Sequence, residues 1–220
     1  MGSLGVSVVI PALNAERFLE RCVLSALNNG YQPVEVIVVD NGSEDNTACL
    51  AESLGVRCVS EPTRGAGAAR NRGLGLARFD LLVFLDSDDE IVPGALEALV
   101  AGRETSEADF IFGQVVNIRE ESEANDGKEI AHTNQALGAP LASSTLVTRS
   151  GLARFGPMLN DNVSWPRMIM SARRLGAHIH AIDTVVAHRH IHNDNISHDP
   201  LTRAALVQVL RELPAPQGGA

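Results

Sequence analysis

The sequence predicts an α/β fold in which a mostly parallel sheet is flanked by helices in a single domain. Three observations lead there. Short apolar runs alternate with helical patterns through the first half, and three of those runs end in polar residues at one structural level. The chain's 220 residues, 45% of them hydrophobic, suffice to bury one sizeable core.

Val6 to Ile10 is an apolar run that stops at Pro11, as a buried parallel strand does. Phe18, Leu19, Cys22, Val23, Ala26 and Leu27 then recur at three- and four-residue steps, the core-facing stripe of a helix that Asn29-Gly30 ends. A second strand, Val34 to Val39, ends at Asp40, and Ser43 is placed to cap a helix carrying Ala48, Leu50, Ala51 and Leu54. Gly55 closes that helix before a third strand at Val56 to Val59. After Gly65-Ala66-Gly67 a helix carries Ala69, Leu74 and Leu76, and Leu81 to Leu85 reads as a buried strand that stops at Asp86. The unit repeats as βαβαβαβ.

Pro93 is suited to start a helix through Leu96 and Leu99, and Asp109 to Ile118 reads as a strand. Arg119 to Gly138 is polar, largely acidic and without period, the pattern of a mobile loop. Thr145 to Thr148 is strand-like, a helix around Met168 to Leu175 ends at Gly176, and Ile179 to Val186 is strand-like again. A last helix, Leu201 to Leu213, precedes a Pro-Ala-Pro-Gln-Gly-Gly tail expected to be disordered.

A net charge of −9 argues against a nucleic-acid partner, which needs a basic face that this sequence does not supply. Arg64, Arg70 and Arg72 cluster beside a glycine-rich turn and suit a small polyanion better than a duplex. Cys22, Cys49 and Cys58 are an odd count without paired spacing, which points to a reducing, cytoplasmic compartment. No stretch reaches the roughly 18 to 20 apolar residues of a membrane span, and the N-terminus lacks a charged signal-peptide opening. Peripheral membrane contact and a homodimer stay open.

The chemistry gathers at the expected carboxyl ends of the strands, where open α/β sheets bind ligands. Phe84-Leu85-Asp86-Ser87-Asp88-Asp89 opens a strand directly into three carboxylates within four residues. Hard oxygens of this kind suit Mg²⁺ or Mn²⁺ shared with substrate phosphates. The same turn also reads as a solvated acidic cap on the helix near Pro93. Asp40-Asn41-Gly42-Ser43 is a tight turn whose Asp40 stands at a strand tip, where its carboxylate can accept from a base N–H. Gly65 to Arg72 permits close backbone approach, but it has neither the Gly-Lys-Ser/Thr of a Walker loop nor the spacing of a dinucleotide fingerprint.

Together these residues resemble the family 2 glycosyltransferases with the Rossmann-like GT-A fold. The resemblance lies in Val8 to Asn14 with Glu16, in Glu35 to Ser43 with Thr47, and in Gly67 through Asp89, in that order. It implies that Pro11, Ala12, Asn14 and Glu16 line the nucleoside pocket with Asp40 reading the base and Asn41 beside it. It further implies that Arg70 and Asn71 lie beside the nucleotide, and that Asp86, Ser87 and Asp88 form the Asp-x-Asp motif. In that motif Asp86 faces the ribose or metal water and Asp88 ligates Mg²⁺ or Mn²⁺. His192, in His190-Ile191-His192, matches the family histidine that reaches the metal or diphosphate. The diphosphate-facing cation is open, since His190 replaces the expected Arg and Arg189 adjoins it.

Asn160-Asp161 resembles the family's Glu-Asp motif, with Asp161 in the position of the general base and Asn160 in place of the first acid. Pro166 follows closely and is expected to disfavour helix at Trp165, and Asp161 also reads as a cap of the next helix. Asp183, Asp194 and Asp199 compete for the base role. The expected organisation is a nucleotide-sugar-binding half over residues 1–102, an acceptor-binding half of the same domain over 103–200, and a C-terminal helix and tail over 201–220. The implied activity is inverting, metal-dependent transfer of a sugar from a nucleotide diphosphate donor, a UDP-sugar by family frequency, to an acceptor hydroxyl of unknown identity.

Three other readings compete with this one. Six of seven histidines lie between His178 and His198, which raises a zinc site at His188, His190 and His192. A nucleotidyltransferase with a similar sheet would release pyrophosphate, but its first strand ordinarily opens into a glycine-rich loop with Arg and Lys rather than Pro-Ala-Leu-Asn. A non-catalytic module would bind the nucleotide sugar without turnover.

Overall fold

Val8 and Ile10 point to one side of the first strand and Val9 to the other, yet all are fully buried, so both sheet faces must carry helices. The computed structural model describes residues 4–119, 141–161, 163–192 and 205. The strands are β1 (Val6–Ala12), β2 (Val34–Asp40), β3 (Arg57–Ser60), β4 (Leu81–Phe84), β5 (Glu90–Ile91), β6 (Phe110–Arg119), β7 (Thr145–Thr148) and β8 (Ile179–Ile191). They form one sheet in the order β3-β2-β1-β4-β7-β6-β8-β5. The first four run parallel, β7 runs antiparallel to both neighbours, β8 is parallel to β6, and β5 is antiparallel to β8. The sheet is therefore mixed, with its parallel half as expected.

Period-two alternation sorts the core into two layers. Helices α1 (Leu19–Leu27) and α2 (Thr47–Ser53) cover Val8, Ile10, Val36 and Val38. On the other face α3 (Ala66–Leu76) packs on Val9, Ile37, Phe84 and Val147. Helix α4 (Ala95–Ser106) joins the first layer, while α5 (Arg149–Phe155) and α6 (Ser164–Arg174) join the second through Leu152, Trp165, Met168 and Ile169.

Several boundaries differ from expectation for physical reasons. Ser43 does not cap α2: its Oγ accepts from Asn14 N at 3.0 Å, and Asp45 Oδ1 takes the N–H of Thr47 at 3.0 Å. Gly94, with φ 78°, delays α4 to Ala95. Strand β8 runs on to Ile191 because β6 pairs with it as far as Arg119. Pro166 does not break α6: it is the third helical residue, where the missing N–H has no intrahelical partner to lose. Strand β5 and helix α5 were not legible. The latter is capped by Thr148 Oγ1, which accepts from Gly151 N at 3.0 Å. The loop expected at Arg119 to Gly138, Arg119's backbone aside, and the helix and tail expected after residue 200, helical Ala205 aside, lie outside the described residues.

Two glycines of α3 separate packing from helix propensity. A β-carbon on Gly73 would stand 2.2 Å from the Cγ1 of buried Val9, whereas one on Gly75 meets nothing within 4 Å. Replacing an exposed helical Gly by Ala gains about 0.5 to 1 kcal/mol, and overpacking costs about 1 to 3 kcal/mol. Gly75→Ala is therefore expected to raise the melting temperature and Gly73→Ala to lower it, as thermal denaturation of the two variants would record.

Candidate active site

The loops after β1 and β2 are laced together at the carboxyl edge. Asn14, at φ 50°, accepts from Glu44 N at 2.8 Å, and the Glu16 carboxylate accepts from the backbone N and side-chain Nδ2 of Asn46 at 3.2 and 2.8 Å. Ala15 N donates to Thr47 Oγ1 at 2.8 Å. Ala12 is the register partner of Asp40 across the two strands, so Pro11, Ala12, Asn14, Glu16 and Asp40 share one rim. Asp40 Oδ1 accepts from Ser43 N at 3.2 Å, which holds the carboxyl group at the strand tip.

Asn41 turns inward and is buried. Its Nδ2 donates to the carbonyls of Glu61 and Thr63 at 2.9 and 2.8 Å, and its Oδ1 accepts from Gly65 N at 2.6 Å. The amide closes the loop that leads into α3, an arrangement that needs two donors and an acceptor. Asn71 is engaged in the same manner, exchanging two hydrogen bonds with the backbone of Met158 at 2.8 and 3.0 Å. Asn160 Nδ2 donates to Arg64 O at 2.6 Å and its Oδ1 accepts from Ala68 N at 3.2 Å. The segment before α6 thereby lies on the start of α3, where Gly67 leaves room for the Leu159 carbonyl.

The acidic turn is divided by environment. Asp86 pairs with Arg70 Nη2 at 2.6 Å, and Arg70 Nη1 donates to Ser164 Oγ at 3.1 Å. Asp88 Oδ2 meets His192 Nε2 at 3.1 Å, and the imidazole stacks on Phe18 with ring centroids 4.4 Å apart. Asp89 is buried, accepting from Ser143 Oγ at 2.6 Å and from His190 N at 3.2 Å. Burial, followed by the Asp86 charge, holds the Asp88 carboxyl above the usual carboxylate range. Asp89 is pushed up further, by burial first and then by Asp88 and Asp86. Ser87 is half-buried within the turn.

Asp161 stands just before α6. Its Oδ1 accepts from Val163 N at 3.0 Å and its Oδ2 from Arg167 Nε at 3.1 Å, so it does steady the helix start. Each oxygen keeps a lone pair for a further proton or donor.

The structure thus gathers Arg70, Asp86, Ser87, Asp88 and His192, sets Pro11, Ala12, Asn14, Glu16 and Asp40 on the adjoining rim, and directs Asn41 and Asn71 into the loop framework. The arginines do not converge. Positions two apart on a helix differ by about 200°, so Arg70 is buried while Arg72 is exposed, and Arg64 pairs with Glu44 at 3.6 Å. Of the histidines proposed for zinc, His190 contacts Glu90 at 2.6 Å and His192 contacts Asp88; among the described residues no three His, Cys, Asp or Glu side chains group as a metal site. Sequence reading missed Phe18 as a ring partner, taking it for core, missed Ser143, which lies in no motif, and gave no role to Ser164, which stands in the stretch from Asn160 to Arg167 that carries the resemblance to the Glu-Asp motif. Glu90, a fourth acid directly after Asp89 in the sequence, holds the His190 ring.

Residues 7–156, more than half the chain, match the family described as Glycosyl transferase family 2. The chain belongs to this family. The family 2 domain is 32% identical over 126 residues to Glycosyltransferase GlyG of Streptococcus pneumoniae, covering 54% of this chain and 42% of that protein. It is 39% identical over 97 residues to a chondroitin synthase of Escherichia coli, covering 42% of this chain and 14% of that protein. The chain spans less than half the length of these curated relatives. Among solved structures it is similar to S. aureus TarS 1–349 in complex with UDP-GlcNAc, with TM-score 0.74 and 19% identity over 94% of this chain and 65% of that one. It is also similar to glucosyl-3-phosphoglycerate synthase from Mycobacterium tuberculosis in complex with Mn²⁺, UDP and glucosyl-3-phosphoglycerate, with TM-score 0.70 and 24% identity over 99% and 83% of the two chains. At these identities the likeness establishes the GT-A glycosyltransferase fold.

Asn41→Asp tests the loop framework of this family 2 domain. An aspartate retains the acceptor for Gly65 N but turns two donors into acceptors facing the carbonyls of Glu61 and Thr63. Leaving such buried groups unpaired costs about 1 to 3 kcal/mol, and chemical denaturation is expected to show a loss of that size at neutral pH that shrinks as acid protonates the new carboxylate.

Proposed function

We propose that the protein transfers a sugar from a nucleotide diphosphate donor, a UDP-sugar in the first instance, to an acceptor hydroxyl, with a divalent cation and with inversion at the anomeric carbon. The observation that carries this reading is the approach of Asp88 Oδ2 and His192 Nε2 to 3.1 Å at the carboxyl edge of the sheet, next to the Asp40 rim. The carboxylate suits Mg²⁺ or Mn²⁺, which take their remaining ligands from phosphates and water, and the imidazole lies within reach of the same ion. Solved structures of similar fold hold UDP-GlcNAc in one case and Mn²⁺ with UDP in another, which supports the choice of donor and ion. A cation held there would neutralise charge on the departing diphosphate.

In this reading Asp40 accepts from the base, and Pro11, Ala12, Asn14 and Glu16 line the nucleoside. The Asp-Ser-Asp turn faces the ribose and diphosphate. Asp161 takes the acceptor hydroxyl's proton as that oxygen bonds to the anomeric carbon; the bond from that carbon to the phosphate oxygen breaks, and its electron pair leaves with UDP. Arg167 holds the carboxylate in place. Attack opposite the leaving group inverts the configuration. All three cysteines are free, which agrees with a reducing cytoplasm, and among the described residues no helix is long and apolar enough to cross a membrane.

A screen of UDP-sugars with Mn²⁺ and a broad acceptor panel is expected to release UDP, not pyrophosphate, and to stop in excess chelator. Removing the general base costs a factor of about 10² to 10⁴, so Asp161→Asn should lose transfer by that factor while donor binding, measured by calorimetry, persists. Turnover in chelator, an unchanged rate for Asp161→Asn, or a product with the donor's own anomeric configuration would overturn the reading.

A further inference from the structure

Asp89 is the third acid of the turn, and its carboxylate is spent inside the protein. One oxygen accepts from Ser143 Oγ at 2.6 Å and the other from the backbone N of His190 at 3.2 Å. Ser143 Oγ in turn accepts from Asp86 N at 3.2 Å. Asp89 and Ser143 are both almost fully buried, at 4% and 3% exposure. The 3-10 turn Ala142–Ser144, the acidic turn and the end of β8 are therefore joined through one hydroxyl and one carboxylate.

The two ends of this link matter because of what lies next to them. Asp88 adjoins Asp89, and His192 follows His190 by two residues, so the link adds to the β5–β8 pairing and the His190–Glu90 contact in placing the pair that meets at 3.1 Å. Phe18 stacks on the imidazole.

We propose that Ser143 and Asp89 are positioning residues that hold Asp88 and His192 in register for a divalent cation, Asp89 acting through hydrogen-bond geometry rather than as a ligand. This rests on the functional reading above. Groups that orient metal ligands cost about 10- to 100-fold in metal affinity when removed. Asparagine at position 89 still offers an oxygen to His190 N and an N–H to Ser143 Oγ, whereas alanine at 143 deletes a single atom and with it both bonds that hold Asp89 and Asp86 N against the Ala142–Ser144 turn, leaving the Asp89 carboxylate anchored at His190 N alone.

Two measurements on the full chain test this. The first is Mn²⁺ titration in the presence of UDP, followed by the electron paramagnetic resonance of free Mn²⁺. The second is the imidazole ¹H–¹⁵N spectrum without metal, with the His192 signals assigned through His192→Gln. Ser143→Ala is expected to weaken Mn²⁺ binding about 10- to 100-fold and to shift the His192 signals, while Asp89→Asn stays close to wild type in both. If Ser143→Ala matches wild type in the imidazole spectrum, or Asp89→Asn loses as much as Ser143→Ala, the proposal is overturned. If the wild-type protein with UDP takes up no Mn²⁺, the cation reading falls, and the metal-free spectrum still decides whether Ser143 positions His192.

Discussion

The site depends on the burial of one guanidinium. Arg70 is only 7% exposed, and a cation removed from water must be matched by charge and hydrogen bonds. Asp86 supplies the charge at 2.6 Å and Ser164 accepts a second hydrogen bond at 3.1 Å. The planar fork of arginine spans both partners at once, a geometry that a lysine ammonium does not reproduce. Its Nε is buried and has no hydrogen-bond partner among the described residues, so the Asp86 pair carries most of the compensation. Helix α3, the end of β4 and the start of α6 are bound into one unit at the point where the acidic turn begins.

Close packing around α3 makes that burial possible. Gly73 brings the helix onto Val9, and Gly67 admits the Leu159 carbonyl. Asn71 and Asn160 then fasten the segment 158–160 to the helix by four hydrogen bonds to backbone groups. Asp161 follows at once, its carboxylate held by Val163 N and Arg167 Nε, and Ser164, the second partner of Arg70, lies three residues on. In the proposed reading the donor-side and acceptor-side residues then share a support, which is the pre-organisation that positioning demands.

Much of this was legible in the sequence. Apolar runs ending in Pro11, Asp40 and Asp86 gave the parallel strands and their common edge, because both periodicity and termination are local properties. The antiparallel return of β7 and the two-residue β5 depend on pairing between distant segments, which no local pattern encodes. The roles of Asn41, Asn71 and Asn160 were hidden for a related reason: an amide at a strand or helix end looks alike whether it faces a ligand or clasps a loop. Phe18 showed the spacing of a core residue and proved half-buried against His192, since residues at a helix start complete the period without facing the core. Ser143 gave no signal, because a lone serine before a strand is common.

The most direct test of Arg70 as the common support is the comparison of UDP binding with sugar transfer in Arg70→Lys, measured by calorimetry with Mn²⁺ and by steady-state turnover on the same preparation. Lysine retains a cation for Asp86 but cannot also hold Ser164, so UDP affinity should stay within a few-fold of wild type. A displacement of about 1 Å at a catalytic group costs about 10²-fold, and transfer is expected to fall by at least that factor. Transfer that falls no further than UDP affinity would show that Arg70 serves the donor side alone, contrary to the account.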